Sequence, residues 1–204
     1  VISITSITHT DIDCNGNGNG TITATATGGT GILTYTLLPT GISNTTGVFT
    51  DLAPGSYNVY VEDANGCPPA MSGSILISQP DSLLVDNVIV NNISCHDLDD
   101  GSIEAIVSGG TQPYTYTLNP GGTSNTTGLF ENLPAGTYSI DVTDSNNCYI
   151  NAGPFTITNP PALAIDALTS MDISCHDQND GTITIAASGG TGTLSYTMQP
   201  AGIT

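Results

Sequence analysis

The chain repeats itself with a period of about 80 residues, so any fold proposed for it must be buildable at least twice in succession. Cys14 and Cys67 are 53 residues apart, Cys95 and Cys148 are also 53 apart, and the second pair follows the first by 81. Cys175 follows Cys95 by 80. Other landmarks keep the register: Gly28-Gly29-Thr30, Gly109-Gly110-Thr111 and Gly189-Gly190-Thr191; Tyr35, Tyr116 and Tyr196; Pro39, Pro120 and Pro200. Residues 92–120 and 172–200 are identical at 15 of 29 positions. The expected domains are therefore 1–80, 81–161 and 162–204, the last a partial third repeat. The register puts the partner of Cys175 near position 228, beyond Thr204, and a chain opening at Val1 and stopping inside a repeat reads as a fragment or processed piece.

Equal spacing within each repeat argues for disulfides Cys14–Cys67 and Cys95–Cys148, with the partner of Cys175 outside the chain. The alternative is free buried thiols. Bridges of this kind imply an oxidising, extracytoplasmic setting. A domain of about 80 residues has a small core, and closing a loop of this length contributes about 4 kcal/mol in the chain-entropy model.

Short runs rich in Thr, Val, Ile and Tyr, broken by Gly, Asn, Asp and Pro, predict strands throughout. In 55–63, Tyr57, Val59 and Val61 alternate with Asn58, Tyr60 and Glu62, the pattern of a half-buried strand. Runs 21–27, 33–38 and 74–78 read the same way, and each has a counterpart one period on. Seven or so strands per repeat predict an all-β, immunoglobulin-like sandwich. Tyr57 and Tyr138 follow turns Ala53-Pro54-Gly55 and Pro134-Ala135-Gly136, as in a tyrosine corner. Gln79-Pro80 and Pro160-Pro161 mark short, semi-rigid joints.

Composition removes several functions. There is no Lys or Arg against 18 Asp and Glu, so the surface cannot neutralise phosphates and nucleic acid is excluded as an electrostatic partner. Anionic membrane is excluded for the same reason, and no apolar run is long enough to insert as a helix. Without Lys or Arg there is no conventional salt bridge and no trypsin site.

Carboxylates before glycine suggest calcium: Asp97, Asp99 and Asp100 precede Gly101, and Asp177 and Asp180 precede Gly181. A Cys95–Cys148 bridge would bring the first group to Asp144 and Asn146. The plainer reading is that Asp-Gly is a turn signal, since repeat 1 carries Gly16, Gly18 and Asn19 instead. No cofactor is required, and calcium is the one candidate. Cys95-His96-Asp97 and Cys175-His176-Asp177 look like nucleophile pairs, but bridged cysteines supply no thiolate, and Gly16-x-Gly18-x-Gly20 precedes no helix that would hold a phosphate. No catalytic constellation is expected. Asn44-Thr45-Thr46 and Asn125-Thr126-Thr127 fit the N-glycan sequon, and Asp81-Ser82-Leu83 resembles an O-glycan acceptor, with Ser82 the attachment point.

Ile93-Ser94-Cys95 with Asp100-Gly101-Ser102-Ile103, Gly109 to Tyr116, Leu133 to Tyr138, and Val142 to Cys148 together resemble the SprB repeats of very large cell-surface adhesins in gliding Bacteroidetes. Repeat 1 departs from the pattern at 15–20, Asn-Gly-Asn-Gly-Asn-Gly. The resemblance implies type IX export, display on the outer surface, and a role in adhesion or gliding. The expected function is that of stalk repeats displaying a distal binding region, with neighbouring repeats as partners. The alternatives are weak multivalent modules for external glycans or surfaces, for which Tyr60 offers a stacking face but its counterpart Asp141 does not, and subunits of a self-assembling fibre.

Overall fold

The computed structural model describes residues 1–199, so Pro200 and the rest of the C-terminus lie outside the described residues. Every regular element among them is a strand. The first period forms β1 (Ser3–Thr10), β2 (Gly20–Thr27), β3 (Leu33–Leu38), β4 (Ile42–Asn44), β5 (Val48–Leu52), β6 (Gly55–Asp63), β7 (Ala70–Met71) and β8 (Ile75–Ile77). One sheet runs β1-β2-β5 and the other β4-β3-β6-β7, with β8 also paired to β6. This is the two-sheet sandwich expected from the Thr- and Val-rich alternation.

The second period forms β9 (Leu84–Asn91), β10 (Gly101–Ser108), β11 (Thr115–Asn119), β12 (Thr123–Asn125), β13 (Leu129–Leu133), β14 (Gly136–Thr143) and β15 (Tyr149–Ile157). Its orders, β13-β10-β9 and β12-β11-β14-β15, repeat those of the first. The third begins again with a β16 (Ala164–Met171) and β17 (Thr182–Ser188) hairpin. By contacts the chain divides into two compact units, Val1–Asp86 with Val107–Tyr116 and Asp141–Asn151, and Asn87–Ile106 with Thr117–Ile140 and the described part of 152–204.

In the first unit the inward positions of β2, β3 and β6 make the core. Ile22, Ala24, Leu37, Val59 and Val61 are fully buried, packed with Phe49, Leu52, Tyr57 and Ile77. The Tyr57 hydroxyl donates to Ala53 O at 2.9 Å, and the Tyr138 hydroxyl to Pro134 O at 2.9 Å. Both tyrosine corners therefore form as the turn-plus-Tyr pattern predicts.

Gly20 and Gly101 are strand residues rather than turn residues. A Cβ on Gly20 would sit 2.6 Å from Ile77 Cγ2, and one on Gly101 2.8 Å from both Ile157 Cγ2 and Leu133 O. Each pairs across its sheet at a register shift, Gly20 with Leu52 and Gly101 with Leu133. Close approach, not a left-handed backbone, selects glycine here.

Candidate functional site

The inward alternation of β6 continues past Val61 to Asp63, which places a carboxylate at the edge of an apolar core. A buried charge must be hydrogen-bonded to be tolerated. Asp63 Oδ2 accepts the Thr30 amide at 2.7 Å and the Thr30 hydroxyl at 3.3 Å, and Oδ1 accepts the amides of Cys67 at 2.8 Å and Asn65 at 3.2 Å. Asp144 does the same in the next period, with Thr111 N at 2.8 Å and Asn146 N and Cys148 N at 2.9 Å. The Cys67 side chain first, then the Thr30 and Cys67 amides, hold the Asp63 carboxyl far below the usual carboxylate range. The recurring Gly-Gly-Thr and Asp-x-Asn-x-Cys motifs are thus two halves of one turn lock. In the sequence, Asp63 is signalled only by the recurrence of Asp-x-Asn-x-Cys at an interval of 81.

The glycines of the lock meet the start of a repeat. Gly28, Gly109 and Gly189 all have positive φ, and a Cβ on them would fall 2.1 Å from Val1 O, 1.8 Å from Ser82 O and 1.9 Å from Ala162 O. The amide of Gly110 donates to Asp81 O and that of Gly190 to Pro161 O, both at 2.8 Å. The Pro-containing joints are accordingly fastened to the body of the following repeat by backbone bonds.

Cys14 sits at the other end of the sandwich. It follows the far end of β1, where Asn15 Nδ2 donates to Pro80 O at 2.9 Å and the Gly16 amide to Gln79 Oε1 at 3.1 Å. Cys67 follows Asp63, which is tied to Thr30 at the near end. An eight-residue strand, roughly 26 Å long, separates the two ends, far beyond the 7 Å that a disulfide can span between Cα atoms. The expected Cys14–Cys67 bridge is accordingly not formed. Cys14 is bonded to Cys148, with Cα atoms 5.6 Å apart and 134 residues between them in sequence.

Cys95 is then not bonded to Cys148 either, and Cys67, Cys95 and Cys175 carry thiols. Equal spacing identified the two kinds of cysteine that pair, but not which copies. Asn146 Nδ2 donates to Asp13 O at 2.9 Å and to Thr111 Oγ1 at 3.2 Å, so Asn146 meets the Cys14 loop beside this bridge, while Asp144 stays with Thr111 and Cys148. The groove beside this bond, about 400 Å³, is lined by Cys14, Asn15, Ser82, Leu83, Cys148 and Tyr149 among others.

The acidic loops close on themselves. Asp100 Oδ1 accepts the Ser94 amide at 3.0 Å and its other oxygen the Ser94 hydroxyl, while Asp180 Oδ1 accepts the Ser174 amide at 2.9 Å. The hydroxyl and amide of Ser94 pull the Asp100 carboxyl below its ordinary value, and those of Ser174 do so for Asp180. In repeat 1 the carbonyl of Asn19 takes the same place, accepting the Asp13 amide at 3.3 Å. An amide oxygen serves as well as a carboxylate because the partner is a backbone N–H.

Asp97 and Asp177 occupy the position of Gly16, and all three have positive φ in a turn closed by the amide three residues after the cysteine. Asp97 also meets His96 Nδ1 at 2.9 Å, and His176 lies 3.5 Å from Asp177. Asp99 is exposed on the same loop. Among the described residues no three His, Cys, Asp or Glu side chains converge as a metal site.

The sequons have a local use as well. Asn44 Oδ1 accepts the amides of Thr46 at 3.0 Å and Gly47 at 2.7 Å while its Nδ2 donates to Val48 O at 2.8 Å, and Asn125 makes the equivalent three bonds with Thr127, Gly128 and Leu129. These side chains close the turn into β5 and β13. Ser82 is exposed beside the bridge groove.

A sandwich repeated in tandem, locked by buried aspartates and bridged by cysteine, defines a class of repeat module. The SprB repeat model matches residues 6–41, 87–123 and 167–202, more than half of the sequence, and the chain belongs to the SprB repeat family. The matched stretches begin 81 and 80 residues apart, each covering the first half of one period. No curated protein matches the chain.

Solved structures similar to it include the C-terminal 282-residue fragment of intimin in complex with the intimin-binding domain of the translocated intimin receptor, at 18% identity and a TM-score of 0.45, covering 80% of this chain and 67% of that one. Three N-terminal domains of the highly immunogenic outer capsid protein of bacteriophage RB49 align at 20% identity and a TM-score of 0.49, covering 95% and 71%. Domains 4–9 of the surface layer protein SbsC align at 11% identity and a TM-score of 0.35, covering 90% and 36%.

Proposed function

We propose that this chain is a segment of the stalk of a long extracellular surface protein, organised as repeats 1–80, 81–161 and 162–204, which holds a distal binding region away from the cell. The observation that carries this reading is the Cys14–Cys148 bond, which joins one period of the sequence to the next. A bridge closed inside each repeat would strengthen that repeat alone. One closed between periods resists the separation of neighbours, as a chain under tension requires, and it needs an oxidising compartment. Membership in the SprB repeat family supports a surface location, and gliding or adhesion is the activity such a stalk would serve. The role is non-enzymatic.

The test is small-angle scattering on chains of two, three and four repeats in oxidised form. The stalk reading expects the maximum dimension to grow by a constant roughly 30–40 Å per repeat, the length of one sandwich. Growth that levels off would overturn it. A glycan array run on the same chains separates the alternative: binding that strengthens steeply with repeat number would make the repeats multivalent modules.

A further inference from the structure

We propose that Cys95 is half of a second bridge between periods, and that the groove in front of it is the seat of the Asp-x-Asn-x-Cys loop that completes the third repeat. The inference stands on repeat geometry and not on the stalk reading. Cys95 occupies in its own loop the place Cys14 occupies in the first: the amide of Leu98 donates to Cys95 O at 3.1 Å as that of Asn17 does to Cys14 O.

The rest of the seat is already built. Gly189 packs on Ala162 as Gly109 packs on Ser82, and the Gly190 amide meets Pro161 O as that of Gly110 meets Asp81 O. Ser94 O, the counterpart of the Asp13 carbonyl that takes Asn146, accepts Thr191 Oγ1 at 2.9 Å. The groove so formed, about 390 Å³, has Cys95, His96, Ala162, Leu163 and Thr191 in its wall. At the first bridge the equivalent groove also contains Cys148 and Tyr149.

The sheet beside the seat has the same incompleteness. Ile183 is 57% exposed where its counterpart Ile22 is fully buried, and Ile185 is 40% exposed where Ala24 is fully buried. In the first repeat those positions face β3 and β6. The occupant is therefore a half-repeat equivalent to 125–161. Its aspartate takes the Thr191 amide as Asp144 takes that of Thr111, and its cysteine reaches Cys95. Closure removes two protons and two electrons from the two thiols and passes them to a small-molecule disulfide, which leaves as two thiols. The rule that emerges is that the first cysteine of each repeat bonds the second cysteine of the next.

The experiment appends a copy of residues 125–161 after Thr204, oxidises the protein with glutathione disulfide, alkylates remaining thiols, and maps unreduced peptic peptides by mass spectrometry. The proposal expects Cys14–Cys148, a bond from Cys95 to the appended cysteine, and alkylation of Cys67 and Cys175. A bond from Cys175 to the appended cysteine, or full alkylation of Cys95, overturns it. Two measurements on the unextended chain guard against an extension that does not fold. Mapping should return Cys14–Cys148 alone, and a Cys14–Cys67 or Cys95–Cys148 bond would remove the pairing rule. A peptide of the sequence 139–150, supplied as its mixed disulfide with glutathione, should exchange onto Cys95 with release of reduced glutathione at least tenfold faster than onto Cys175, which has no such seat; equal rates overturn the proposal.

Discussion

The Thr30 amide donates to the Asp63 carboxylate at 2.7 Å across 33 residues of chain, joining the turn after β2 to the end of β6. Because the hydrogen bonds favour the ionised form, the folded-state pKa of Asp63 lies below its unfolded value. The stability it contributes is complete above the unfolded pKa, near 3.9, and is lost as pH falls through the folded pKa. Acidification also relieves the repulsion of a chain with formal charge -18, an effect of opposite sign. Comparing Asp63→Asn with the parent isolates the first effect. Urea midpoints should fall less in the variant than in the parent between pH 6 and pH 2.5, with the variant the weaker at pH 7. Parallel profiles would show that Asp63 is not the acid-sensitive lock.

Gly109 tests the fastening of the joint. Its φ is +72° and a Cβ would lie 1.8 Å from Ser82 O, a backbone atom that cannot step aside cheaply. Gly41 has a similar φ of +75° but open space around it. Gly41→Ala should cost about 1–2 kcal/mol from the left-handed backbone alone, and Gly109→Ala at least about 2 kcal/mol more, as the joint is pushed off the turn. Equal losses in thermal unfolding would mean the joint does not press on Gly109.

At the tyrosine corners, Tyr138→Phe removes one hydroxyl and leaves Pro134 O without its donor. The expected loss is about 1–2 kcal/mol with the ring packing retained. Tyr57→Phe should behave alike, because the Ala53 bond has the same length. A loss in one repeat and none in the other, read by denaturant titration, would show the corners are not equivalent.

These corners were legible in sequence because the turn, the Tyr and the alternation of 55–63 are all local. The cysteine pairing was not. A periodic chain presents the same spacing to a partner in its own repeat and to one in the next, and only the antiparallel run of β1 and β2 puts Cys14 and Cys67 at opposite ends. Asp63 was hidden for a different reason. An acidic residue closing a strand looks like a surface residue until the turn that covers it is in place. Asp100 and Asn44 stand out in the sequence for chemistry they share with ligands and glycan acceptors, namely oxygen and amide groups near a turn, and those same groups are used on the backbone.

The acidic loops yield a last expectation. Asp100 and Asp180 have oxygens committed to Ser94 and Ser174, and Asp144 binds three amides. A calcium ion at these positions would compete for oxygens that already accept the bonds holding the loop. Calcium and magnesium at matched ionic strength should therefore raise the melting temperature equally, by screening charge. A true site present at 100 times its Kd would add about 2.7 kcal/mol, several degrees for a domain of this size, and for calcium alone. Were such a rise seen, Asp99→Ala would locate it: loss of the calcium-specific increment there, with Asp144→Ala retaining it, would place the ion on the exposed rim of the Cys95 loop and not in the turn lock.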